Sequence, residues 1–213
     1  MTTKETLSGI ESCLLTVDLD RLFPEVLGWA RPSFSAFDRP VSAPVSQMLR
    51  FDPVAELEGV PVFRVDWPGS KPPTVTQRRA VHRALASTYG EHLLAYVTHG
   101  RKELLFVWSR QIGQDRARRT ELRALPYTVG EPARTTIEQL GQLAFTPADH
   151  VRRIPLPDVL DKLDAAYDVA AVTDAFYRGF EAVYRDLQKL LTVQSGDAQW
   201  AHDYSLQLLS RLV

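Results

Sequence analysis

The stretch Asp168–Leu191 most constrains what this chain can fold into. Its apolar residues Val169, Val172, Phe176, Phe180, Val183, Leu187 and Leu190 follow one another at steps of three or four. That spacing lines one face of an α-helix and suits no strand. Asp168 stands where a helix start needs an acceptor for its free N–H groups. Arg185 and Lys189 stand near the end, where the helix dipole favours cations. Roughly 24 residues rising ~1.5 Å each make a rod about 36 Å long. A rod with one apolar stripe must lay that stripe against something else.

The chain has 213 residues, 45% hydrophobic and 24% charged, so it has enough apolar material for a core and is not a disordered segment. It holds no apolar run of the ~18 residues that a membrane helix needs. The first residues, Met-Thr-Thr-Lys-Glu-Thr, lack the basic region and apolar core of a secretory signal. Cys13 is the single cysteine, which rules out an internal disulfide and a thiolate zinc site. Cytoplasmic residence is the resulting expectation.

Net charge is −1, so no global bias toward nucleic acid exists. Charge is nevertheless uneven. Between Thr98 and Arg134, eight basic residues stand against four acids, a local net of +4. Between Asp158 and Lys189, seven acids stand against four bases, a local net of −3. A basic middle and an acidic end can bind different partners or each other.

Taken in order, residues 3–30 predict helix, with a second helix starting at Pro24. Residues 31–46 carry Pro32, Pro40 and Pro44 and predict a loop. Gln47–Trp67 predicts a hairpin turning at Glu58-Gly59, with a break at Pro53. Thr74 or Thr76 caps a helix running to about Tyr89, and Gly90 stops it. His92–Val97 and Glu103–Trp108 are apolar on both faces, which predicts central strands. Arg110–Arg119 predicts a polar loop, and Glu121–Val129 another strand. Helices are predicted over 131–143, 157–166, 168–191 and 197–212, with a linker at 151–156. The order predicts an α/β (α+β) fold with a mixed sheet flanked by helices. Its expected divisions are N-terminal helices and a Pro-rich loop at 1–46, the core at 47–146, and a helical arm at 147–213.

The run Asp168–Tyr177 with Phe180 and Tyr184 resembles a segment just ahead of the methylase domain in large bacterial restriction–modification methylases. These are single-chain enzymes of the Type IIG kind and their phage-defence relatives. Pro61–Asp66, Glu91–Val97 and Leu104–Trp108 resemble successive strands of that family. Thr135–Leu143 resembles its next helix, and Trp200–Leu212 its helix leading into the catalytic domain. The resemblance spans roughly 47–213 and rests on order more than on any one motif. It implies an N-terminal piece of a larger adenine DNA methyltransferase. The missing domain would bind S-adenosylmethionine through an Asn-Pro-Pro-Tyr motif and would be a partner of this one. The chain has no Asn, so that motif is absent here, and no cofactor is expected in these residues.

Enzymes of this kind often begin with a PD-(D/E)XK nuclease domain, so the core is expected to be a degenerate version of it. That chemistry needs two carboxylates on a divalent metal and a Lys to orient water. Asp52 or Glu58 is the candidate first acid, and Asp66, a further candidate carboxylate, stands on the next strand where the Lys belongs. Arg64 stands where an acid belongs, and no Asp/Glu-x-Lys triplet lies on a predicted strand. The bland reading of Arg64 and Asp66 is a solvated strand face. The DNA-contact candidates are Arg110, Arg116, Arg118, Arg119 and Arg123, which can neutralise phosphates without reading sequence. Their bland reading is a solvated loop. His82, His92, His99, His150 and His202 show no pairing at ligand spacing, so no metal site is expected.

Three functions stay open. The first is a non-catalytic N-terminal domain of a restriction–modification methylase, contributing DNA-backbone contact or assembly. The second is an active metal-dependent endonuclease domain. The third is a protein–protein interaction module, self-associating into a homodimer through Phe176, Phe180 and Trp200 of the helical arm.

Overall fold

The computed structural model describes residues 3–112, 119–152 and 154–210; side chains of 111, 119, 169–178 and 210 are not among the described atoms. Contacts divide the chain into two compact units, Met1–Tyr167 and Asp168–Val213. The divisions expected at 46/47 and 146/147 therefore lie elsewhere, at 167/168. The reason is burial. Ile10, Leu14, Leu22 and Phe23 share one core with the sheet residues Val62 and Phe106 and with Leu163 of a late helix.

The first unit is built on a six-stranded mixed sheet in the order of the sequence. Its strands are β1 (Phe37–Val41), β2 (Gln47–Leu57), β3 (Val60–Trp67), β4 (His92–Thr98), β5 (Glu103–Ile112) and β6 (Arg119–Thr128). Neighbours run antiparallel except β3 and β4, which are parallel. A parallel pair needs a crossover, and helix α3 (Val75–Ala86) supplies it. Thr74 caps α3: its hydroxyl accepts from the Gln77 N–H while Gln77 returns a bond to the Thr74 N–H.

Period-2 alternation feeds two cores. Val62, Leu93, Ala95, Phe106 and Trp108 face one side; Phe63, Val65, Leu94, Tyr96 and Val107 face the other. Every residue of β4 is buried, as its two apolar faces predicted. The first side is covered by α1 (Lys4–Thr16), a short turn α2 (Leu19–Arg21), α4 (Arg134–Gly141) and α6 (Leu156–Tyr167). The second is covered by α3.

Four local expectations change. Pro24 does not begin a helix; it lies inside a π-helical turn, Leu22–Val26, closed by the Leu27 N–H on the Leu22 carbonyl at 2.9 Å. Pro53 does not break its strand; β2 passes through it with a register shift between Pro53 and Ala55, which accommodates a residue lacking an N–H. The proline-rich 31–46 contains an edge strand, β1, where Phe37 stacks on Phe51 with centroids 5.4 Å apart. Pro40 is tolerated there because an edge strand leaves one side unpaired. The expected linker at 151–156 also begins inside a one-turn helix, α5 (Pro147–Val151).

The second unit is a helical hairpin of α7 (Val169–Ser195) and α8 (Ala198–Ser210). Gly196, at φ 70°, makes the reversal between them. Among the described residues no helix is long and apolar enough to cross a membrane.

Candidate functional site

The expected nuclease acids sit on β2 and β3. Asp52 pairs across the ladder with Arg64, and Asp66 lies two residues further on the same strand. Arg64 is central to them. Its guanidinium reaches Asp52 at 3.4 Å, Asp66 at 3.5 Å and Asp20 at 4.0 Å. Arg50 holds the other Asp52 oxygen at 2.9 Å. A guanidinium thus occupies the place where a metal would have to sit between the carboxylates. Glu58 does not join them. It forms the β2–β3 turn at φ 47°, six residues from Asp52 and so ~20 Å along the strand. Among the described residues no group of three His, Cys, Asp or Glu is placed to hold a metal.

The expected DNA-contact residues divide. Arg116 and Arg118 lie outside the described residues, as does the side chain of Arg119. Arg110 and Arg123 stand on β5 and β6, two ladder steps apart. Both turn onto one acid of α6: Arg110 meets Asp164 at 2.7 Å and Arg123 meets it at 3.4 Å. Arg123 also reaches Glu121 at 3.4 Å. The basic middle and the acidic later segment therefore meet inside the first unit. The residual charge that these two arginines offer a phosphate is correspondingly small.

Sequence spacing gave no sign of the buried histidine pair. His82 on α3 and His92 at the start of β4 are both buried, with Nδ1 of the first 3.1 Å from Nε2 of the second. His92 Nδ1 lies 3.1 Å from the Tyr89 carbonyl. A carbonyl only accepts, so His92 Nδ1 carries the proton, its Nε2 accepts, and His82 Nδ1 donates. Burial disfavours the charged rings. It lowers His82 and, with the neighbouring His82 charge adding, pushes His92 down to about 3. The pair is a neutral strut between helix and sheet, and among the described residues no third ligand joins it.

A cleft of about 810 Å³ opens in the first unit between the π turn, α5 and α6. Its floor is built by a close approach. Gly28, at φ 72°, lies so near the Phe145 carbonyl that a Cβ would stand 2.3 Å from that oxygen. Lys162 lines the cleft, donates to the Ala144 carbonyl and holds its Nζ 4.0 Å over the Phe145 ring. Burial lowers the amine's pKa, while the carbonyl and the ring face favour its charged form. His150 Nε2 donates to the Gly28 carbonyl at 2.6 Å. Asp149 accepts from the Thr146 N–H and hydroxyl, which lowers its carboxyl pKa. These polar groups are engaged with the protein itself. They brace α5 and α6 against the 27–29 segment rather than presenting a nucleophile with its base.

The hairpin differs from all of these. Tyr184 of α7 meets His202 of α8 through its hydroxyl and its ring edge. Phe180, Leu187 and Leu191 are half-buried along the same stripe of α7 as Tyr184, and Ala201, Ser205 and Leu209 are buried on α8. Large apolar side chains remain open beside these stripes. Val183 and Leu190 are 56% and 57% exposed, and Trp200 and Tyr204 are 46% and 43% exposed. The last two stack with centroids 5.0 Å apart. Of the residues expected to self-associate, Trp200 is on this open surface, Phe180 is half-buried, and Phe176 has no described side chain. No protein-family model, no curated protein and no solved structure matches the chain.

Proposed function

We propose that the chain acts as a non-catalytic protein-interaction module whose C-terminal hairpin carries the contact. The observation that supports this most directly is the open apolar surface of α7 and α8, where six large side chains are each more than two-fifths exposed. Exposed apolar area of that kind marks contact surfaces. Two further observations weigh against the competing chemistries. The carboxylates of the nuclease reading are held by Arg64, and the described arginines of the DNA reading are held by Asp164. The sequence resemblance supplies a setting for such a module, ahead of an S-adenosylmethionine-dependent methylase domain, with assembly rather than phosphate contact as its role.

The test is a plasmid incubation with Mg²⁺ or Mn²⁺ alongside a gel shift at low salt. Uncut plasmid and no retarded DNA are the expected results. Metal-dependent cutting abolished by Asp52→Ala would overturn the non-catalytic reading. Retardation abolished by Arg110→Ala with Arg123→Ala would restore the DNA-contact reading.

A further inference from the structure

Five of the open apolar residues of the hairpin lie on one side of it, while the exposed Val193 and Leu206 lie off that side. At about 100° per residue, Tyr184, Leu187 and Leu191 define the stripe of α7 that turns to α8. Val183 and Leu190 sit roughly 100° from its centre. On α8 the buried stripe is Ala201, Ser205 and Leu209, and Trp200, Tyr204 and Leu208 sit roughly 100° from it in the same rotational sense. The two helices run antiparallel, so equal senses of rotation place both open stripes on the same side. Leu208 is 38% exposed, and together these five residues form one apolar face.

We infer that this face pairs with the same face of a second copy of the chain, closing two hairpins into a four-helix bundle. The inference rests on the interaction-module reading and names its partner. Three features favour a copy over another occupant. First, Val183 and Leu190 of the open α7 stripe stand seven residues apart. A seven-residue apolar repeat is the seam that packs against another helix at a shallow angle, and a two-fold contact requires a patch that fits itself. Second, the area suffices for a modest dimer. With side chains of ~150–250 Å² partly open, the face offers on the order of 500 Å² per copy. Two copies would bury about 1,000 Å², the lower bound of a specific interface. Third, the stacked Trp200–Tyr204 pair gives each copy a rigid aromatic anchor of the kind that dominates interfaces. The exposed Asp186 and Asp203 flank the face. Two acidic rims repel, so added salt should tighten this dimer, whereas it would weaken docking of a basic partner.

The test is sedimentation equilibrium of the full chain across a micromolar concentration series, with Val183→Asp and Tyr204→Asp as variants. Both positions are exposed, so circular dichroism should show the helices intact. The expected result is a shift from 24.0 kDa monomer to dimer. Each variant should weaken it tenfold or more, and 0.5 M salt should tighten it. A dimer unchanged in both variants would place the contact elsewhere and overturn the inference. A chain that stays monomeric also overturns it, and dye binding then separates the two readings. Apolar dye bound by the wild type and lost in the variants leaves an interaction face with a different occupant. No dye bound at all removes the interaction reading as well.

Discussion

Acid should unfold the first unit through the His82–His92 pair. Both rings are neutral in the fold, and His92 is held to about 3 against an ordinary value of 6.5. A base whose pKa is depressed on folding binds fewer protons folded than unfolded. Stability is therefore fully present above the unfolded pKa and is lost as pH falls from about 6.5 toward 3. Each pH unit in that window removes about 1.4 kcal/mol per proton withheld. Between pH 7 and pH 4.5 His92 alone accounts for on the order of 2–3 kcal/mol. That is a large share of the ~5–15 kcal/mol by which domains are stable. His82 is lowered in the same direction and adds to the slope. Urea unfolding of the wild type at half-unit pH steps, followed by tryptophan fluorescence, measures it. The comparison is His92→Gln, which keeps a polar group against the Tyr89 carbonyl and cannot titrate. The variant should be less stable at pH 7 and lose most of the acid slope. If the wild-type and His92→Gln stabilities run parallel from pH 6.5 to 4.5, the pair does not drive acid unfolding and the neutral-strut argument is refuted.

Two further perturbations test the frame around the cleft and the sheet edge. Gly28→Ala places a methyl 2.3 Å from the Phe145 carbonyl at a φ of 72°, so it should cost at least about 3 kcal/mol, read as a drop in urea midpoint. Asp164→Ala leaves Arg110 and Arg123 facing each other without their shared acid. With all three side chains about a third exposed or less, the loss should be modest, about 1 kcal/mol in chemical denaturation. The same variant should retard DNA more strongly than the wild type, because it frees Arg110 and removes one of the two acids on Arg123; unchanged DNA behaviour would show that those arginines do not reach phosphate even when released.

Local periodicity carried much of the architecture. The two-sided apolar runs at 92–97 and 103–108 required strands inside a sheet, and they are its β4 and β5. The three-and-four spacing after 156 required helices, and α6, α7 and α8 follow it. A cap at Thr74 or Thr76 was readable because a cap is satisfied by residues three positions away, and Thr74 is the one used. All of these signals operate within a few residues, so they are visible along the chain.

What stayed hidden depends on residues far apart in sequence. β1 exists because Phe37 and Val41 find β2 and the aromatic cluster, against a proline-rich local composition. His82 and His92 meet only because the crossover brings the inward face of α3 over the first residue of β4. Arg64 gathers an acid from α2 with two from the sheet, and Asp164 crosses 41 positions to reach Arg123. A sequence shows which residues carry charge and which faces are apolar. Whether a charge is already neutralised, and whether an apolar face is already covered, follows only from three-dimensional packing. Coulomb attraction and burial act through space, and the chain order does not encode those distances. In this protein, packing turned two candidate chemical sites into internal ion pairs and left apolar residues of a hairpin bare.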